Sequence, residues 1–152
     1  MRYVTLQILF AAAVVWPWNA AWPWDVWTAV GYGGVFAGAA WAVWAFRQHP
    51  RGNFHVFPAP KPHAQLIVSG PYRWSRHPMY TGILGLMLGL VLLDRTWLSL
   101  AAWLGLTGTL WAKARAEEHG MQRQFPAYAA FCQSVRTRLL PWPPRRGSNA
   151  SP

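Results

Sequence analysis

Between Tyr3 and Trp24, and again between Val26 and Phe46, the chain carries no charged side chain; a single aspartate, Asp25, divides the two runs. Each run exceeds the roughly 20 residues that a helix needs to cross a bilayer. Two shorter uncharged runs follow, Pro78 to Leu93 and Thr96 to Ala112, divided by Asp94-Arg95. At about 1.5 Å per residue these reach about 24–26 Å, slightly less than the hydrocarbon thickness. They read as a tight helical hairpin; taken by themselves, a soluble core helix pair would satisfy the same pattern. The expected fold is all-α, an integral membrane bundle of four transmembrane helices at about 3–24, 26–46, 78–93 and 96–112. A cytoplasmic link (47–77) and a C-terminal cytoplasmic or interfacial helical segment (113–141) complete a single domain, 1–142. Residues 143–152 form a tail expected to be disordered.

Composition supports a membrane chain and removes several alternatives. Only 12% of the residues are charged and 53% are hydrophobic, where soluble domains carry roughly 25% charge. Intrinsic disorder is excluded because it needs few aromatics, and 16% of this chain is aromatic. A disulfide scaffold is excluded because Cys132 has no partner within the chain. The net charge of +10 does not point to nucleic acid, because the basic residues lie beside apolar runs rather than on a polar face.

Those basic residues set the orientation. Arg2 precedes the first run; Arg47, Arg51, Lys61, Arg73 and Arg76 fill the link. Lys113, Arg115, Arg123, Arg136, Arg138, Arg145 and Arg146 follow the fourth run, whereas the other two connectors hold only Asp25 and Asp94-Arg95. The positive-inside bias then places both termini in the cytoplasm, expected beneath the inner membrane of a bacterium. Trp-Pro-Trp at 16–18 and at 22–24, followed by Trp27, falls at the outer interface, where indole rings favour the headgroup level. A rival reading of the first run is a signal peptide cut near Ala20-Ala21, but bulky Trp18 and Trp22 with Pro17 make a poor cleavage site. Gly34 and Gly38, and Gly85 and Gly89, form Gly-x-x-x-Gly pairs that permit close helix packing; they are assigned no chemistry, and dimerisation is left open.

Two segments concentrate polar chemistry near the inner interface. The link ends in Ser69-Gly70-Pro71-Tyr72-Arg73-Trp74-Ser75-Arg76-His77-Pro78-Met79-Tyr80-Thr81-Gly82. Gly70-Pro71 is a turn, and Pro78 suits the first turn of the third span. The N–H groups at that helix start, with Arg76 and His77 beside them, suit a carboxylate or phosphate. The alternative is that Arg73 and Arg76 anchor to lipid phosphates and His77 caps the helix. The second segment carries Glu117-Glu118, half of the four acids in the protein. Pairing with Lys113 and Arg115 is the bland explanation; a carboxylate pair aimed at a cationic ligand is the sharper one. Gly120 and Pro126 are expected to break this segment, after which Tyr128, Phe131 and Val135 form a helical stripe suited to the membrane interface. The histidines at 49, 55, 63, 77 and 119 show no metal-ligand spacing. Neither a dinucleotide nor a mononucleotide phosphate loop occurs, and Cys132 reads as a buried free thiol.

At these two segments the sequence resembles the isoprenylcysteine carboxyl methyltransferase family and its relatives among the phospholipid methyltransferases. The resemblance lies in Gly70-Pro71-Tyr72-Arg73, Arg76-His77-Pro78-Met79-Tyr80-Thr81-Gly82, Glu117-Glu118, and the tail positions Phe125, Tyr128, Phe131, Arg138 and Pro141. It covers roughly residues 47 to 141. It departs from the family pattern at Met121, where leucine is usual, at Gly120 within the same turn, and at Phe131, where a second tyrosine is usual. The resemblance implies a membrane methyltransferase that uses S-adenosylmethionine without a nucleotide-binding domain. It also implies cofactor contacts from Tyr72, Arg76, His77, Tyr80, Gly82, Glu117 and Glu118. Arg76 and His77 would take the cofactor's carboxylate, Glu117 or Glu118 its amine, Tyr80 its ribose or carboxylate, and Tyr72 its adenine. Arg73, Tyr128 and Arg138 are substrate-side candidates, with the two arginines suited to an acidic headgroup. The acceptor implied is lipid-like or hydrophobic, methylated at a carboxylate, amine or thiol, and no side chain is assigned as general base. The competing classes are a non-catalytic membrane protein that keeps the fold for binding or assembly, and a nicotinamide-dependent reductase.

Overall fold

The protein is described by a computed structural model over residues 2–16, 24–48 and 66–143. Those residues form α1 (Arg2–Val15), α2 (Val26–Arg47), a short 3-10 turn (Gly70–Arg73), α3 (Pro78–Asp94), α4 (Trp97–Gln124) and α5 (Tyr128–Ser134), with no strand among them. Most of the Trp-Pro-Trp pair, the Ala20-Ala21 step, His49, His55 and His63, the middle of the link and the tail beyond Pro143 lie outside the described residues.

Capping chemistry sets where the helices begin and end. Asp25 opens α2, its carboxylate accepting from the Thr28 N–H at 2.9 Å and the Thr28 hydroxyl at 3.1 Å. Pro78 occupies the first turn of α3, where its missing N–H costs nothing. Arg95 ends α3 in the left-handed conformation (φ 54°), and Thr96 caps α4 by accepting from the Ser99 N–H. The tight hairpin expected between the third and fourth runs is therefore present. α1 stops at Val15, short of the expected 24, because Trp16 precedes a proline and is pushed out of the helical region.

α4 differs from expectation in a way that matters for function. It continues past Ala112 and does not break at Gly120. It runs unbroken for 28 residues, about 42 Å at 1.5 Å per residue, and a glycine inside it costs only about 1 kcal/mol relative to alanine. It stops at Phe125, which is held extended ahead of Pro126. One rod therefore carries both the fourth apolar run and Glu117-Glu118.

α3 is the centre of the bundle, packed against α2 on one side and against α4 and α1 on the other. The α2–α3 seam is built from glycine. A Cβ at Gly38 would collide with the backbone of Leu86, and one at Gly89 would lie 2.5 Å from the Val35 nitrogen. Against the other face of α3, Leu84, Leu106 and Leu110 form a core joined by Phe10, Tyr80 and Trp103. Helix contacts descend in opposite order along the pairs Gly31–Leu93 and Gly38–Leu86, and along Phe10–Gly105 and Gln7–Lys113. The bundle is thus antiparallel, with Arg2, Arg47, His77 and Lys113 at one end and Asp25 with Arg95 at the other.

Among the described residues one helix, α2, is long and apolar enough to cross a membrane by itself; α1 and α3 are apolar but shorter. Only 17% of the most apolar stretch of α2 is buried in the protein, which leaves Val30, Phe36, Val43 and Trp44 exposed. The expected interfacial stripe on α5 faces inward instead. Tyr128, Phe131 and Val135 are buried together against Leu66, Met121 and Phe125, because Arg76 draws the end of α5 back onto the bundle.

Candidate functional site

The chain between Trp74 and His77 is clamped by the segment that follows α5. The backbone N–H groups of Arg76 and His77 donate to Thr137 O and Arg138 O, both at 3.0 Å, and Trp142 N–H donates to Trp74 O at 2.9 Å. Ser75, fully buried, adds a hydroxyl bond to Arg138 O at 2.7 Å. Thr81 donates to Leu139 O from the first turn of α3. Neither Ser75 nor Thr81 stood out in the sequence, since their work is to fix backbone. The result brings the start of α3, the projecting end of α4 and the residues after α5 to one place.

Arg76 is the hub. Its Nε donates to Val135 O at 2.6 Å and its Nη2 to Cys132 O at 2.9 Å, closing the C-terminal carbonyls of α5. Its Nη1 reaches both Glu118 oxygens, at 3.4 and 3.5 Å. Arg138 Nε donates to Glu118 Oε2 at 2.9 Å. The imidazole of His77 lies between the two carboxylates, Nδ1 at 3.6 Å from Glu117 and Nε2 at 3.5 Å from Glu118. It stacks on Tyr80 with ring centroids 5.4 Å apart. His77 is the N-cap residue of α3, its carbonyl accepting from the Thr81 N–H at 3.1 Å, but its side chain makes no capping hydrogen bond and turns to the glutamates. Its Nε2 is buried and makes no hydrogen bond. Tyr80 donates its hydroxyl to Glu117, 2.8 and 2.9 Å from the two oxygens.

The electrostatics follow from this crowding. Burial would raise the Glu118 carboxyl, but His77 and Arg138 beside it outweigh that and hold it at about 2. Burial, followed by the nearby Glu117 charge, pushes the Tyr72 hydroxyl up. Burial, followed by Glu118, does the same to Tyr128. These phenols therefore stay neutral donors. The thiol of Cys132 is unpaired with any other sulfur, half-buried and also pushed up by burial, which disfavours the thiolate a nucleophile needs.

Of the positions singled out from sequence, Arg76, His77, Tyr80, Glu117 and Glu118 meet in one cluster, joined by Arg138, with Tyr72 close enough to sense Glu117. Gly82 is committed to the α2 seam, where an added Cβ would lie 2.6 Å from the Ala42 nitrogen. Tyr128 is packed in the α5 core, 3% exposed. Arg73 is exposed and forms no hydrogen bond or ion pair with the described residues. Lys113 and Gln7 were missed. Lys113, read as a surface partner of Glu117, is 5% exposed; its signal is only that one rod carries it into the bundle. Gln7 is a polar residue inside an apolar helix, which is itself a signal. At the opposite end of the bundle lies a cleft of about 440 Å³ walled by Trp27, Leu88, Val91, Trp97 and Leu100; it holds no acid and has no part in this cluster.

Comparison with curated proteins finds no match. Residues 26–128, more than half of the chain and the part that holds the α2–α3 seam, Arg76, His77, Tyr80 and both glutamates, match the phospholipid methyltransferase family, and the chain belongs to that family.

Proposed function

We propose that this chain is an S-adenosylmethionine-dependent methyltransferase of the isoprenylcysteine carboxyl methyltransferase type, embedded in a membrane as four spans. Its acceptor is lipid-like or hydrophobic and is methylated at a carboxylate, amine or thiol. The observation that carries this reading is the Arg76–His77–Tyr80–Glu117–Glu118 cluster with Lys113 and Arg138 against it, where two carboxylates share one small volume with three cationic side chains and an imidazole.

That donor set fits the amino-acid end of the cofactor. The ligand presents a carboxylate and an ammonium, and the site offers charges of both signs a few ångströms apart. The buried His77 Nε2 makes no well-aligned hydrogen bond, with Glu118 Oε1 at 3.5 Å as its polar neighbour, and a polar ligand atom would improve on that contact. Arg76 and His77 would hold the carboxylate, and Glu117, the more accessible of the two acids at 18% side-chain exposure, the amine. Tyr80 and Tyr72 would flank the rest. Bound there, the cofactor supplies an electrophilic methyl group on a sulfonium. The protein's part is positioning and exclusion of water, which suit an in-line displacement without a covalent protein intermediate. No side chain of the cluster is assigned as general base, and an acceptor that arrives already ionised, such as a carboxylate or thiolate, suits it best.

The four-span placement rests on the exposed apolar surface of α2 and on the antiparallel order of the helices. That order puts the described basic residues, Arg95 excepted, at the end that carries the cluster. The positive-inside bias then makes that end cytoplasmic. A second reading has one observation in its favour: Glu118 is already paired with Arg76, Arg138 and His77, as a purely structural knot would be.

Calorimetric titration of the detergent-purified protein with S-adenosylhomocysteine separates the two. Saturable micromolar binding, lost in the Glu117→Gln/Glu118→Gln variant, is the expected result. No binding by well-folded protein in lipid nanodiscs would overturn the enzymatic reading and leave a membrane protein that keeps the fold for binding or assembly.

A further inference from the structure

The family match begins at residue 26, so α1 lies outside it, yet α1 reaches the candidate site. Lys113 is buried on α4, its ammonium facing α1 and α3 together. Its Nζ donates to Gln7 Oε1 of α1 at 3.4 Å. It lies over the face of the Tyr80 ring at 5.3 Å, and 3.9 Å from Glu117 Oε1. The last distance is too long for a hydrogen bond, so the carboxylate attracts the ammonium without fixing it. Among the described residues Gln7 is its one hydrogen-bond partner. A buried charge costs several kcal/mol of desolvation unless it is paired and hydrogen-bonded, and a polar residue in an apolar helix is a cost of its own. The hydrogen bond between Gln7 and Lys113 offsets part of both costs.

The consequence runs onward to the site. Tyr80 and Glu117 hold each other at 2.8 Å, and Lys113 touches both: the ring face of one and the carboxylate of the other. Four residues of α4 separate Lys113 from Glu117, about one turn or 6 Å along the axis. Lys113 therefore sits directly behind the Glu117–Tyr80 pair on the side of the apolar runs. We propose that Gln7 and Lys113 are positioning residues: α1 sets the place of the Lys113 ammonium, which in turn fixes the Glu117 carboxylate and the Tyr80 ring for cofactor binding. This rests on the cofactor reading above and assigns a role in it to a helix outside the matched family region.

The test uses the full chain in nanodiscs and S-adenosylhomocysteine as the probe, with unfolding temperature measured in parallel. Lys113→Met is expected to weaken binding by about tenfold and Gln7→Leu by about threefold, the size of a lost hydrogen bond to a charge and of a lesser misplacement. Lys113→Arg, which keeps the cation, is expected to stay within about threefold of the parent. A merely structural role predicts the opposite split: Gln7→Leu and Lys113→Met lower the unfolding temperature while the folded protein binds the probe as the parent does. That result would overturn the proposal. Where Lys113→Met does not fold, Gln7→Leu against Lys113→Arg decides by the same criterion. Failure of the parent itself to bind would instead overturn the cofactor reading, so the two failures are distinct.

Discussion

Arg76 and Glu118 stand 42 residues apart in sequence and 3.4 Å apart in space, and both side chains are almost fully buried, 12% and 5% exposed. Neither charge is left to the other alone. Arg76 also serves two carbonyls at the end of α5, and Glu118 also takes Arg138 and His77. A buried pair of this kind contributes little net stability, since desolvation offsets most of the attraction, but removal of one member leaves an uncompensated charge. The pair therefore fixes geometry: it locks the start of α3, the end of α4 and the end of α5 into one constellation.

Two arginines three residues apart consequently differ in what they do. Arg76→Ala is expected to cost about 3 kcal/mol or more in unfolding free energy, the usual penalty for breaking a buried pair, and to abolish S-adenosylhomocysteine binding. Arg76→Lys should fall close to it, because one ammonium nitrogen lacks the span by which the planar guanidinium reaches two carbonyls and a carboxylate from three separate nitrogens. Arg73→Ala, at an exposed position that pairs with none of the described residues, should change both quantities little. Thermal unfolding and calorimetry on the three variants check this; equal effects at positions 73 and 76 would contradict the hub role of Arg76.

Glu118 sets an acid limit. Its carboxyl titrates at about 2 in the folded protein against an ordinary 4.5, so between those values the unfolded chain binds a proton that the native one refuses. Stability from this group is fully present above about pH 5 and is lost as the pH falls through the native value. Unfolding temperature should thus be flat in this respect from pH 8 to 5 and fall below it. Glu118→Gln should start lower and lose that part of the acid slope. An unchanged slope in the variant would show that other groups govern acid sensitivity.

Much of this is legible in the sequence alone. Charge-free runs, the placement of arginines and the Gly-x-x-x-Gly pairs report on solvent and close packing, both of which are local properties of sequence, and the helices and the glycine seam follow them. The motif residues Arg76, His77, Tyr80, Glu117 and Glu118 were legible as candidates because charge is scarce here and each charged residue stands out. What was not legible depends on the path of the chain. Gly120 reads as a breaker, yet the weak penalty of a single glycine is overridden by packing of the rod. Tyr128, Phe131 and Val135 form an apolar stripe whose partner could be lipid or protein, and only the anchoring of Cys132 O and Val135 O by Arg76 decides it. Lys113 reads as exposed because an i, i+4 ion pair is normally a surface feature.

The α2–α3 seam gives a packing prediction. Gly38→Ala places a methyl group against the Leu86 backbone, which cannot move aside as a side chain can, and should destabilise by about 1–3 kcal/mol, the usual range for overpacking. Gly33 and Gly108 face open space, so alanine there should be neutral or should stabilise by up to about 1 kcal/mol through helix propensity. Unfolding of the three variants in the same detergent tests the seam. Comparable destabilisation at positions 33 and 38 would show that α2 is not held by close backbone approach.

At the far end of the bundle, α2 is tied to the α3–α4 corner by Arg95, which donates Nη1 to Asp25 Oδ2 at 2.8 Å and Nη2 to the other oxygen and to the Thr28 hydroxyl. The Arg95 hydrogen bond, then the Thr28 N–H, keep the Asp25 carboxyl well below its ordinary range. Both side chains are partly open to solvent, 30% and 38% exposed, so the tie should weaken as salt screens it. Bidentate geometry and the shared Thr28 make it stronger than an average exposed pair. Asp25→Asn and Arg95→Gln should each lower the unfolding temperature at low salt, and the double variant should be no worse than the worse single one. Raising the salt should shrink the gap between the parent and all three. Strictly additive losses in the double variant, or a gap indifferent to salt, would mean that the two residues cap their own helices and do not hold α2 to the corner.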